Sequence, residues 1–95
     1  MAAYIIVNVD VLNPDRYPEY VKAVPPTLAA YGGRFMVRGG RAERLEGTIE
    51  PKRVVVIEFE NAERARAWWS SAEYAGPKAL RQATAKTDMI LVEGL

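Results

Sequence analysis

The chain has 95 residues and a formal net charge of +1, and it contains neither cysteine nor histidine. This charge balance indicates no nucleic-acid partner, and the two missing residue types exclude disulfides, thiol nucleophiles, the usual zinc and haem ligands and histidine acid/base catalysis. The length predicts a single domain over residues 1–95 with one two-layer core. We therefore expect no metal site and no cofactor.

The N-terminus passes from Met1-Ala2-Ala3 directly into a strand pattern. It shows neither a basic segment followed by an apolar run nor a run long enough to span a bilayer. We therefore expect a cytoplasmic protein without a membrane partner.

Residues 3–11 alternate with period two and are rich in β-branched side chains, which predicts the first strand. Asn13-Pro14 is a cap signal, and apolar residues recur at helical spacing from Tyr17 to Tyr31. Pro25-Pro26 interrupts this stripe, so we expect a kink or restart near Val24, with a second segment from Pro25. Gly32-Gly33 then ends the helix.

A second strand is predicted over Arg34–Arg38, and Gly39-Gly40 indicates a bulge with a continuation over residues 41–46. Residues 47–52 form the loop before the clearest strand, Arg53–Phe59. Asn61 caps a second helix, Ser71 is a possible cap for a further turn, and Gly76-Pro77 restarts a short helix through Ala85. Met89–Glu93 is the fourth strand.

This order of elements is that of an α+β, ferredoxin-like βαββαβ fold with a four-stranded antiparallel sheet and both helical segments on one face. The opposite face has no helix over it and should contact solvent. It nevertheless carries apolar residues: Tyr4, Ile6, Met36, Val54, Val56 and part of the fourth strand. An antiparallel sheet with one solvated face normally alternates cleanly. We therefore expect a homodimer that packs sheet to sheet.

Four polar residues are predicted on that apolar face: Asn8, Asp10, Arg38 and Glu58. A symmetric hairpin would place Glu58 diagonal to Arg38, close enough for an ion pair. In one reading Arg38 binds a substrate carboxylate or enolate, and Glu58 or Asp10 is the catalytic base. In the other, the pair is a structural salt bridge inside the dimer.

Further candidate substrate-binding residues are Gly39 and Gly40, whose backbone a ligand could approach, and Trp69 and Tyr74, which could line an aromatic pocket. A plain bulge is the favoured explanation of the glycines, and aromatic residues at helical spacing are more often core. Trp68 and Trp69 point to different sides of a helix, so one of them should reach a pocket rim or the dimer seam.

Several motifs together resemble the bacterial domain of unknown function 1330 family. They run from Pro25-Pro26-Thr27-Leu28 through Tyr31-Gly32-Gly33-Arg34 to Val37-Arg38-Gly39-Gly40, followed by Leu45-Glu46-Gly47, Val56-Ile57-Glu58-Phe59, Ala65-Arg66-Ala67-Trp68 and Ser71-Ala72-Glu73-Tyr74. The resemblance implies the dimeric α+β barrel superfamily, with two facing sheets and a pocket in each protomer. Its members include cofactor-independent monooxygenases, isomerases, haem enzymes and ligand sensors, so the fold alone selects no function.

Two classes of function follow. One is a cofactor-independent enzyme, of the proton-transfer or monooxygenase type, with a pocket for a small organic anion. The other is a non-catalytic ligand-binding or structural dimer in which the buried charges only lock the interface.

Overall fold

A computed structural model describes residues 1–95 as a four-stranded antiparallel sheet with helices packed on one face. The elements are β1 (Ala3–Val11), α1 (Tyr17–Ala30), β2 (Arg34–Gly40), β3 (Arg53–Phe59), α2 (Ala62–Trp69), α3 (Ala72–Thr84) and β4 (Ala85–Glu93). The strand order is β2-β3-β1-β4, so β2 and β4 are the edges. This confirms the ferredoxin-like βαββαβ prediction.

The alternating pattern of β1 and β3 assigns their residues to two faces as expected. Odd-numbered positions are buried under the helices, and the even-numbered ones from Tyr4 to Asp10 are half-buried or exposed. Trp68 and Tyr74 lie fully buried in the same core, with their ring centroids 4.0 Å apart. We call the covered side the helix face and the other side the open face.

Both helical segments run through their prolines, contrary to the predicted interruptions. α1 continues across Pro25-Pro26, and α3 begins at Ala72 and passes through Gly76-Pro77 to Thr84. Tertiary packing overrides the local break in α1, because Tyr20, Val24 and Leu28 are buried on both sides of the proline pair. The cap predictions at Asn61 and Ser71 are confirmed, since their side chains accept hydrogen bonds from the backbone of Arg64 and Tyr74.

Residues 41–52 do not continue β2 as a strand. The predicted continuation over 41–46 is therefore wrong, and the whole segment is a largely exposed loop. Asn8 anchors its end, because the Asn8 amide donates to the Glu50 carbonyl at 2.9 Å and accepts from the Lys52 backbone at 2.8 Å. β4 is longer than predicted and starts at Ala85.

One row of apolar side chains crosses the open face. Val37, Val56, Ile6 and Ile90 are register partners across all four strands, and Ile90 is 57% exposed. The predicted apolar open face is thus present, with Val37 and not Met36 in register with Val56. No helix has the length and apolar composition of a membrane span.

Candidate functional site

An irregularity in β2 between Phe35 and Val37 places Arg38 on the helix face, so its predicted position on the open face is wrong. Phe35 pairs with Ile57, but the register then shifts, so that Val37 pairs with Val56 and Arg38 with Val55. A second shift follows at Gly39, as predicted for a bulge. Because one extra residue inverts the alternation of a strand, Arg38 shares the side of Val55 and Ile57.

The predicted Arg38–Glu58 pair is therefore absent, and Glu58 binds a different arginine. The Arg34 guanidinium donates to the Glu58 carboxylate at 2.7 Å. Asp10 lies on the same open face, in register with Lys86 of β4. Both candidate bases are thus separated from Arg38 by the thickness of the sheet.

On the helix face Arg38 joins two further arginines around a small cavity. This cavity has a volume of about 30 Å³, and its polar lining comes from Arg38, Arg53, Arg81, Tyr17 and Tyr20. The other seven of its twelve lining residues are apolar, and none of the twelve is acidic. We call it the arginine cavity.

Arg38 is held by a backbone carbonyl that the proline pair leaves available. Its guanidinium donates to the Val21 carbonyl at 2.6 Å and lies 4.3 Å from the centroid of the Phe35 ring. In a regular helix the residue four positions later donates to that carbonyl, but here that residue is Pro25, which has no N–H. The Pro25-Pro26 motif and Arg38 are therefore parts of one arrangement.

Arg53 occupies the space that Gly39 leaves. Gly39 has φ +73°, and a Cβ atom at this position would overlap the Arg53 guanidinium. Arg53 lies 5.9 Å from the centroid of the Tyr17 ring, and its buried Nε has no hydrogen-bond partner. Gly39 thus admits a protein guanidinium, and the approach of a ligand to its backbone stays a prediction.

Arg81 is the most buried of the three, with 5% of its surface exposed. It makes one hydrogen bond, from Nε to the Tyr74 hydroxyl at 3.3 Å, and Tyr74 in turn shares a 2.7 Å hydrogen bond with Tyr20. Burial, and then the neighbouring Tyr74, raise the pKa of Tyr20 well above its usual value, and burial also raises the pKa of Tyr17. Both phenols are therefore neutral at neutral pH and can donate hydrogen bonds.

No carboxylate compensates the three guanidinium charges. The ion pairs of the chain join Arg16 to Glu19, Arg34 to Glu58 and Arg44 to Glu50, all away from the cavity. Arg38, Arg53 and Arg81 have no acidic side chain within ion-pair distance. Arg81 lies in the last turn of α3, where the helix dipole stabilises a positive charge modestly. Of the three arginines, only Arg81 is buried, whereas Arg53 is half-buried and Arg38 is exposed. A buried cation without an ion-pair partner, such as Arg81, is unfavourable by roughly several kcal/mol, and an anion bound beside it would offset this.

The remaining predicted residues lie in different places. Tyr74 reaches the arginine cavity through Tyr20 and Arg81. Trp69 is 44% exposed, with the Lys78 ammonium 3.8 Å from the centroid of its ring. The amide of Asn8 is used by the loop, and Gly40 faces only Val37.

Sequence reasoning missed Arg53 and Arg81, although each carries a recognisable signal. Arg53 has the same parity as the core residues Val55 and Ile57, so a charge at this position belongs to the helix face. Arg81 follows Tyr74 by seven residues, which places both on one side of α3. A charged residue on a core stripe is the outlier to look for.

The sequence from residue 2 to residue 95 matches the family model for the Domain of unknown function DUF1330. The chain belongs to the DUF1330 family. Among curated proteins none matches it. The family resemblance predicted from the glycine and arginine motifs is thus confirmed.

Solved structures share the fold of this DUF1330 protein. The RPA0582 protein of unknown function from Rhodopseudomonas palustris is 18% identical, with a TM-score of 0.78 over 99% of this chain and 82% of that one. SnoaB, a cofactor-independent oxygenase from Streptomyces nogalater, is 12% identical, with a TM-score of 0.68 and coverage of 99% and 93%. A proposed antibiotic biosynthesis monooxygenase from Nitrosomonas europaea is 17% identical, with a TM-score of 0.60 and coverage of 99% and 90%. At these identities the likeness establishes the ferredoxin-like fold of the chain and nothing more specific.

Proposed function

We propose that this DUF1330 protein binds a small organic anion, whose charged group lies in the arginine cavity. The observation that carries the proposal is Arg81, a buried cation with no carboxylate partner, together with Arg38 and Arg53 on the same cavity. Guanidinium groups bind carboxylates and enolates through paired N–H donors, so such a ligand would complete their hydrogen bonding.

Cofactor-independent catalysis is the finer form of this proposal. Three cations beside a bound ketone or phenol would favour its enolate or phenolate form, which is the ionisation that proton-transfer and monooxygenase-type chemistry without a cofactor requires. Asp10 and Glu58 lie on the open face, so neither is the base for a ligand in this cavity. The substrate would have to lose its proton to water or to another group of its own.

The homodimer is a second proposal, and it concerns the open face. Covering the row of Val37, Val56, Ile6 and Ile90 contributes roughly 1.5–3 kcal/mol for each fully buried side chain, as an upper bound. A second copy of the same face supplies a matching apolar row. In the non-catalytic alternative, the Arg34–Glu58 pair takes the interface-locking role that we had predicted for Arg38 and Glu58.

Two substitutions on β2 test the anion site with a matched control. Arg38→Met removes a cavity cation, whereas Arg34→Met removes the same residue type from the opposite face of the same strand. In isothermal titration with benzoate and pyruvate, we expect Arg38→Met to weaken binding by about tenfold or more, because a charge-assisted hydrogen bond contributes roughly 1.5–3 kcal/mol. Arg34→Met should leave the affinity within about twofold, which is under roughly 0.5 kcal/mol.

Either of two results would refute the proposal. If both variants bind alike, or if no carboxylate raises the thermal stability of the wild-type protein, the cavity does not bind anions. A bound ligand at 100 times its Kd should add about 2.7 kcal/mol to the unfolding free energy. Catalysis is tested separately, by loss of the α-proton of a bound ketone and by consumption of dioxygen.

A further inference from the structure

A second recess lies beside Arg81, between α2, α3 and the edge strand β4. It has a volume of about 600 Å³, within the range of pockets that bind whole organic molecules, whereas the arginine cavity has room for only one or two water-sized groups. Arg81 lines both spaces and is the residue that they share. We call the larger recess the β4 groove.

The residues that line the β4 groove suit a ligand with an apolar body and one anionic group at its end. Met89 and Leu91 of β4 face Ala65 and Trp69 of α2, while the cations Arg66 and Arg81 are its charged lining residues. No acidic residue lines the groove. A cation without a carboxylate neighbour at an apolar recess favours a ligand with one negative charge and a hydrophobic remainder.

Thr87 adds a polar contact within this recess. Thr87 lines the groove, and its hydroxyl is buried and has no hydrogen-bond partner. Buried hydroxyls in folded proteins are almost always hydrogen-bonded. The exception is explained if an oxygen of the ligand is the partner of the Thr87 hydroxyl.

We propose that the β4 groove binds the apolar body of an amphipathic carboxylate, with the carboxylate against Arg81 and a hydroxyl or carbonyl oxygen of the body at Thr87. The inference rests on the proposed function, because it takes Arg81 as a contact for the anion. The terminal nitrogens of Arg81 are available for this, since its hydrogen bond to Tyr74 uses Nε. The expected ligand is thus an aryl or long-chain alkyl carboxylate, and not a small polar acid such as acetate.

The test is a series of straight-chain carboxylates from acetate through butyrate and hexanoate to octanoate, titrated into the intact protein. We expect affinity to rise about two- to fourfold with each methylene group that enters the groove. Trp69 is exposed at the groove and Trp68 is fully buried. Bound octanoate should therefore shift the tryptophan emission of the wild type to the blue, and Trp69→Phe should abolish the shift.

Three variants separate the contacts. Arg81→Met should weaken every member of the series by a similar factor, and Arg81→Lys, which keeps the charge, should weaken them less. Thr87→Val should raise the melting temperature of the free protein, since it removes an unpartnered buried hydroxyl. It should also abolish any preference for p-hydroxyphenylpropanoate over phenylpropanoate while leaving octanoate binding intact.

The outcomes distinguish the two proposals. Carboxylates that bind through the arginines, with an affinity independent of chain length and no change at Trp69, would overturn the groove and leave the anion site standing. If no carboxylate binds at all, both proposals are overturned. If affinity rises with chain length but is unchanged in both Arg81 variants, the groove binds apolar molecules without the anion contact, and the inference is wrong.

Discussion

The two faces of this sheet differ in whether their charged side chains form ion pairs. On the open face Arg34 and Glu58 neutralise each other, beside an apolar row that runs across all four strands. On the helix face Arg38, Arg53 and Arg81 surround a cavity without an acidic residue. The paired charges suit a surface that another protein covers, whereas the unpaired ones suit a site that an anion completes. The proposed site therefore lies on the face that looks most like core.

The largest expected effect is on the helix face of β3. Ile57→Ala should lower the unfolding free energy by about 2–5 kcal/mol, because it leaves a cavity beneath the helices. The loss should be independent of protein concentration in urea denaturation. A loss below roughly 1 kcal/mol would contradict the assignment of Ile57 to a closely packed core.

The neighbouring residue should affect assembly and not folding. Val56→Asp places a charge in the apolar row of the open face, and the desolvation of that charge would oppose packing against a second copy. Light scattering at micromolar concentration should then show a monomer with native circular dichroism, whereas the wild type should be a dimer. Lys22→Asp, on the exposed side of α1, is the control and should remain dimeric. A monomeric wild type would refute the dimer.

A smaller effect is expected from the proline pair. Pro25→Ala supplies the N–H that the Val21 carbonyl lacks, so the carbonyl should turn into the helix and Arg38 should lose its anchor. We expect benzoate affinity to fall about tenfold, or ~1.4 kcal/mol, by titration calorimetry.

Pro26→Ala is the matched control for this variant. It restores a helical hydrogen bond to the Lys22 carbonyl, which binds no side chain. Both variants should gain stability, because each removes a proline from a helix interior. Equal benzoate affinity in the two variants would show that Pro25 does not position Arg38.

The smallest effect concerns pH. The pKa of Tyr20 is raised in the folded protein above its usual 10.0, so the folded state retains a proton that the unfolded state loses. This contribution to stability is complete below pH 10 and declines as the pH rises above it, by up to ~1.4 kcal/mol per pH unit. Urea denaturation of Tyr20→Phe at pH 10 and 11 should show a shallower decline than the wild type. An identical slope would contradict the buried, neutral phenol.

Local signals in the sequence predicted most of the fold. The alternation of β1 and β3 and the caps at Asn61 and Ser71 depend on neighbouring residues only, and the structure confirms them. The continuity of α1 was not predictable in this way, because long-range packing of Tyr20, Val24 and Leu28 decides whether the helix survives Pro25-Pro26.

The same division applies to the site. The order of residues alone shows that an arginine follows a short apolar strand and precedes a glycine pair, and that the family is DUF1330. The face that Arg38 occupies depends on long-range strand pairing, because the pairing of β2 with β3 places an irregularity between Phe35 and Val37. One additional residue reverses every later side chain of a strand. That reversal moves Arg38 from Glu58 to Arg53 and Arg81, and with it the candidate site from the open face to the helix face.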